Sequence, residues 1–214
     1  MKVQLGCSDH AFNASASLTV TQCFFHKCSL DSTIRGGGAV LVVASSTQPE
    51  PLTIKSSSFT ECSTSSSSEN KPTGGAVAGV VCTQITMENC FFETCSAHQG
   101  GGLVSDRSPT TISNCVFVAC VSNHSGGALS MAYVKSLTFS FLQFRECQST
   151  SITNSSDIRF SNISNETVSN SIMFCDSTSG SPNVYFAGAG TDGSTWFPKW
   201  NQTNKQASLR WKYR

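Results

Sequence analysis

Eleven cysteines stand in a chain of 214 residues, and thiols are the side chains here with the most chemistry to offer. Cys23, Cys90 and Cys115 each lie two residues before a phenylalanine. Cys28, Cys62, Cys95, Cys120 and Cys147 each lie three residues after one. The C-x4-C spacing recurs at Cys23–Cys28, Cys90–Cys95 and Cys115–Cys120. A structural zinc site needs convergent ligands, usually from closer cysteine pairs. Here an inward phenylalanine interrupts each pair, and the pairs fall in different repeats, which opposes a shared metal. Disulfides between neighbouring repeats have an acceptable Cα separation, but parallel Cβ vectors oppose a dihedral near about 90°. The spacing therefore predicts small buried hydrophobes arranged in ladders. An odd number leaves at least one thiol unpaired in a monomer.

The remaining chemistry-bearing residues are sparse. His98 and His124 each precede a glycine turn, but no third ligand stands nearby, and both are expected as exposed loop histidines. Cleavage of a glycosidic bond needs two carboxylates about 5 to 9.5 Å apart. The six Asp are never adjacent and never recur in register. Asp31, Asp106 and Asp157 fall in turn regions, where Asp is an ordinary turn former. No catalytic, cofactor-binding or metal-binding residue is therefore assigned. Six N-x-S/T sequons occur, at Asn13, Asn123, Asn154, Asn162, Asn165 and Asn201, against roughly three expected by chance for this composition. The excess mildly favours an extracellular face.

The elements that must position these residues come from a repeat. One unit reads Leu18-Thr19-Val20-Thr21-Gln22-Cys23-Phe24-Phe25-His26-Lys27-Cys28, and shorter or altered copies recur four times. Phe25, Phe59, Phe92, Phe117 and Phe144 mark the period, with 25 residues in the shortest repeat. A small-residue turn closes the first four units at Gly37-Gly38-Ala39-Val40, Gly74-Gly75-Ala76-Val77, Gly101-Gly102-Leu103-Val104 and Gly126-Gly127-Ala128-Leu129. Residues two apart share a face of a strand. Leu18 with Val20, and Cys23 with Phe25, obey that rule. Val20 to Cys23 and Phe25 to Cys28 are odd steps, so the chain must turn at both if all are buried. The unit reads as three short strands per coil of a triangular solenoid, with either Ala39 or Val40 inward on the third strand. Such coils bury their apolar residues by stacking on their neighbours about 4.8 Å away. The fold expected is all-β, a right-handed parallel β-helix of about five to six rungs. Serine- and proline-rich insertions at 45–51 and 63–72 should bulge out as loops. After Cys147 the signal weakens, with one more degenerate rung expected from 157–162 and 168–175, and a last strand at 183–186.

The glycine tetrapeptide with its F-x-x-C element resembles the polymorphic outer-membrane protein repeats of chlamydiae and related repeats in large surface proteins of protists. The resemblance covers roughly residues 18–147. It implies a right-handed β-helix used in adhesion. The chain departs from the bacterial pattern by carrying Cys where Asn is usual after the phenylalanine, and by lacking a following outer-membrane barrel.

Composition bounds the partners. Charged residues are 13% and the net charge is +1, so no general field draws nucleic acid or acidic lipid. The 37 Ser and 21 Thr suit strands and turns. No apolar run is long enough for a membrane span. Met1 to His10 lacks a secretory h-region, and a fragment or divergent gene model is expected. Two regions are expected: residues 1–186 as the repeat domain and 187–214 as a basic, aromatic tail or cap. The function expected is a non-catalytic cell-surface or extracellular scaffold for adhesion or ligand binding, with an unidentified protein or glycan partner and no cofactor. The alternative is a carbohydrate-active β-helix enzyme, a lyase or hydrolase, or a degenerate relative of one.

Overall fold

A computed structural model describes residues 17–30, 36–44, 47, 49–65, 73–150, 157–163, 166–168, 172–175 and 184–187. Its strands stack into sheets in which every pairing is parallel. The first face of the coil stacks Leu18–Thr21, Leu52–Lys55, Ile85–Glu88, Thr110–Ser113, Leu137–Ser140 and Glu166–Val168. The second stacks Phe24–His26, Ser58–Thr60, Phe91–Glu93, Val116–Val118, Leu142–Arg145 and Ile172–Cys175. A shorter third face stacks Ser29–Leu30, Ser63–Thr64, Ser96–Gln99, Val121–Ser125 and Gln148–Ser149. The fourth stacks Val40–Val43, Val77–Val80, Leu103–Asp106, Leu129–Ala132, Ile158–Ser161 and Val184–Ala187. Six strands on three of these faces mean six rungs, the last incomplete among the described residues. The chain is an all-β parallel β-helix.

The coil has four faces where the parity argument gave three. The missed strand follows the second cysteine of each unit. It is only two residues long in rungs one, two and five, too short to show alternation in the sequence. Its first two rungs resume after residues 31–35 and 66–72 as Gly36–Gly37 paired with Thr73–Gly74. The insertion expected at 63–72 therefore begins with a strand, and residues 66–72 lie outside the described part.

Both odd steps are corners, as the parity required, and one backbone device makes them. A single residue in the left-handed region ends each strand: Gln22, Ser56, Asn89, Asn114 and Phe141 between the first and second faces, and Lys27, Glu61, Thr94, Ala119 and Glu146 between the second and third. A third column of Val81, Arg107, Tyr133 and Asn162 closes the fourth face. That conformation costs an L-residue roughly 1–2 kcal/mol. The cost is met by the ladder, which continues through the corner. The corner N–H groups of Gln22, Lys27, Ser56, Glu61, Asn89 and Thr94 donate to carbonyls of the next rung at 2.9–3.1 Å.

Inside the coil the five phenylalanines form one column. Successive ring centroids from Phe25 through Phe59, Phe92, Phe117 and Phe144 lie 4.8, 4.8, 4.7 and 5.2 Å apart, with planes within 8° of parallel. Phe174 continues the register. Leu52, Ile54, Ile85, Met87 and Ile112 fill the first-face side, and Val77, Leu103, Leu129 and Met131 the fourth. The choice between Ala39 and Val40 dissolves, because Ala76 and Ala128 pack on the core from the turn while Val77 and Leu129 pack from the strand. The register also corrects the third glycine turn. Leu103 pairs with Val77 and Leu129, so the turn is Gly100-Gly101-Gly102-Leu103, one residue earlier than its sequence likeness suggests.

Candidate functional site

The thiols stand at the corners. Cys23, Cys28, Cys62, Cys82, Cys90, Cys95, Cys115, Cys120 and Cys147 each directly follow a left-handed residue, and all but half-buried Cys23 are buried free thiols; Cys175 instead ends the strand Ile172–Cys175. The odd step leaves the carbonyl two residues back facing the new side chain. Eight sulfurs reach that carbonyl at 3.2–3.9 Å. Where serine takes the place, its hydroxyl donates to the same carbonyl, at 2.8 Å from Ser57 and 2.9 Å from Ser108. Cys28, Cys62, Cys95, Cys120 and Cys147 form an unbroken ladder. Cys62, Cys95 and Cys147 also reach carbonyls of the preceding rung, Phe25, Phe59 and Phe117, at 3.8, 3.4 and 3.6 Å.

Burial pushes the Cys82 thiol up from its ordinary range. Burial first, then the Cys147 and Cys95 thiols, push Cys120 up. Thiols of Cys120 and Cys62 donating towards Cys95 hold it low, and Cys62 is pushed up by that same contact and by burial. Among the described residues no three His, Cys, Asp or Glu side chains converge in a metal-binding arrangement. Cys82 belongs to the third corner column, with Ser108, Val134 and Ile163, and escaped the sequence reading because its repeat unit is not flanked by the phenylalanine.

The two histidines are brought together, but on strands rather than loops. His98 lies on Ser96–Gln99 and His124 on Val121–Ser125. Their rings stack at 5.1 Å and 7° across a register shift between those strands. Both are half-buried, and the His98 Nε2 has no hydrogen-bond partner among the described residues. Asp106 also departs from expectation. It ends the strand Leu103–Asp106 and is buried, so it is not an outward acid. Asp157 is buried beside the fourth-face strand Ile158–Ser161, and its carbonyl accepts the N–H groups of Ala128 and Leu129 at 3.0 and 2.9 Å. Asp31 lies outside the described residues, as do Asn13, Asn154, Asn165, Asn201 and 188–214. Asn123 and Asn162 are exposed.

What the coil offers to a partner is its outward surface. Strands Val77–Val80 and Leu103–Asp106 of the fourth face are buried on both sides, so the open surface is carried by the other three faces, of which the first and second have the longer regular rows. On the first, Thr19, Thr53, Thr86, Thr111, Thr138 and Thr167 stand in one register row across all six rungs. Beside them Lys55 and Glu88 pair at 3.0 Å. On the second face the outward rows are Phe24, Ser58, Phe91, Val116 and Gln143, and His26, Thr60, Glu93, Val118 and Arg145. Lys27 and Glu61 pair at 3.6 Å at the adjoining corner. The sequence shows threonines flanked by apolar residues, as in Leu18-Thr19-Val20, Leu52-Thr53-Ile54 and Leu137-Thr138-Phe139, and the pairs Phe24-Phe25 and Phe91-Phe92, but only the register reveals that they form rows. No helix among the described residues is long and apolar enough to cross a membrane. Compared with known proteins, the chain matches no family model, no curated sequence and no solved structure.

Proposed function

We propose that the chain is a non-catalytic scaffold of the extracellular or cell-surface kind, working in adhesion or ligand binding through the flat outward rows of its first two faces. The observation that carries the reading is the threonine row of the first face, where Thr19, Thr53, Thr86, Thr111 and Thr138 form a repeated hydroxyl and methyl surface over five rungs. Inward positions are spent on packing, so any partner meets outward residues. Repeat solenoids use such extended surfaces for binding. The resemblance to chlamydial outer-membrane repeats and protist surface proteins supports the same reading, as do the exposed sequons at Asn123 and Asn162.

Incubation with a panel of uronate-containing and neutral polysaccharides, with and without calcium, tests it. Retention on cells or glycans without release of reducing ends is expected. Sustained depolymerisation that vanishes in Glu93→Gln, an outward carboxylate on the second face, would overturn it in favour of a carbohydrate-active enzyme.

A further inference from the structure

We infer that the second face carries a binding strip for an extended, uncharged β1→4-linked polysaccharide, with Phe24, Phe91 and Phe141 as its stacking platforms. The inference rests on the scaffold reading above and names its ligand class.

Four large apolar side chains are exposed among the described residues, and three of them lie on this side of the coil. Phe24 is 69% exposed, Phe91 36% and Phe141 53%. Nothing in the fold asks for them. Strand alternation that buries Phe25 and Phe92 needs only some residue outward beside each, and Ser58 and Gln143 fill the same row. Phe141 is the stronger anomaly. It occupies a left-handed corner with φ of 53°, in the column that holds Asn89 and Asn114 in rungs three and four. Asn adopts that conformation at lower cost than a bulky ring, and Tyr133 is the other ring at such a corner among the described residues. A strained, exposed aromatic that contributes no core packing points to a use on the surface.

The positions repeat. Phe24 is in rung one, Phe91 in rung three and Phe141 in rung five. Ser58 separates the first two in register, and the trail veers one corner towards the first face at its last member. The buried phenylalanine column measures the rung at 4.7–5.2 Å. A β1→4-linked pyranose advances its chain by close to one rung. Successive sugars in such a ribbon are flipped, so the same ring face recurs on every second sugar. Aromatics on alternate rungs therefore meet equivalent faces when the ribbon lies along the solenoid axis. The axial C–H groups of a pyranose present a weakly positive apolar face, which complements the negative face of an aromatic ring. Hydroxyls at the ribbon edges find Ser58 and Thr60 in rung two between Phe24 and Phe91, and Gln143 beside Phe141 in rung five, with Val116 and Val118 filling rung four. His26 stacks on Phe24 at 5.9 Å and 15° and supports that ring.

Charge complementarity selects the uncharged polymer. Lys27 and Glu61, and Lys55 and Glu88, neutralise each other. The outward charges left on the second face and its corner are Glu93, Arg145 and Glu146, two acids against one base. A polyanion gains nothing from such a strip.

The test uses the whole chain. It is incubated with microcrystalline cellulose and with chitin, the two arms separating glucan from N-acetylglucosaminan, and titrated with cellohexaose and chitohexaose. Retention on at least one polymer is expected. So is a loss of tenfold or more in hexamer affinity in the combined Phe24→Ala, Phe91→Ala and Phe141→Ala variant, and a similar loss for the disaccharide, which reaches one platform only. Should the triple variant misfold, Phe24→Ser with Phe91→Ser replaces it, since Ser58 already occupies that row. Failure to bind either polymer, unchanged affinity in the folded variant, or tighter binding of heparin would overturn the inference. Binding to cells that survives the triple variant would sink the strip and leave the scaffold reading standing. Depolymerisation of the bound glycan would sink the scaffold reading, while the variants still decide the strip.

Discussion

A cysteine behind a left-handed corner residue does two things in this chain: it fills a narrow corner of the core, and its S–H meets the carbonyl that the corner leaves behind. That explains a cysteine-rich composition by packing and local hydrogen bonding, and why Ser57 and Ser108 substitute for it. Accessibility then sets reactivity. Native labelling with iodoacetamide should modify half-buried Cys23 well before Cys62, Cys95, Cys115, Cys120 and Cys147, all fully buried, and peptide mapping reads the order directly. Equal labelling of the ladder in the folded protein would refute it. Cys82 adds a pH dependence. Burial raises its thiol in the native state, so the native form keeps a proton that the unfolded chain gives up. Its contribution is complete below the unfolded thiol value of about 8.5 and is lost as pH rises through the raised native value. Cys82→Ser should keep stability at neutral pH within about 1 kcal/mol, the size of one hydrogen bond, and flatten the alkaline decline. Urea midpoints at neutral and alkaline pH check both, and an equally steep decline in the variant would place its source elsewhere.

Strands and turns were legible in the sequence to different degrees, and packing explains the difference. Phe25, Phe59, Phe92, Phe117 and Phe144 could be aligned because each unit must bury one ring on the next. Phe92→Ala should accordingly cost about 3–5 kcal/mol, whereas exposed Phe24→Ala should stay within about 0.5 kcal/mol. Comparable losses at both sites would contradict the inward column. The glycine turns were legible as tetrapeptides, three of them in phase; the third slipped by one residue because Gly100-Gly101-Gly102 offers two alignments and only backbone contact decides. A Cβ on Gly101 would come within 2.3 Å of the Gly127 carbonyl oxygen and 2.6 Å of that of Val121. The third-face strand was not legible, since two residues carry no period, and it took His98 and His124 out of the loops where a strandless reading had left them. The outward rows escaped for another reason. Thr19 or Phe24 alone is an ordinary surface residue, and the rows exist only once insertions of unequal length are taken out of the register.

As a whole the molecule is nearly one-dimensional. Every rung touches only its neighbours, so stability is close to a sum of rung terms and nearest-neighbour interfaces. The phenylalanine column allows this to be measured. Phe92 and Phe117 stack directly at 4.7 Å, and removing either already abolishes the shared contact. The double variant Phe92→Ala with Phe117→Ala should therefore lose less than the sum of the singles, by about 0.5–3 kcal/mol of coupling. Phe59 and Phe144 are three rungs apart in the same column, with two rings between them. Their alanine variants share no contact and should add to within about 0.3–0.5 kcal/mol. Guanidinium unfolding of the four singles and two doubles gives both couplings. The comparison holds only where unfolding stays cooperative, which coincident fluorescence and circular dichroism transitions establish. A large coupling between Phe59 and Phe144 would mean that strain passes along the column through intervening rungs. A ligand on the outward strip would then be felt at both ends of the coil, instead of only in the rungs it covers.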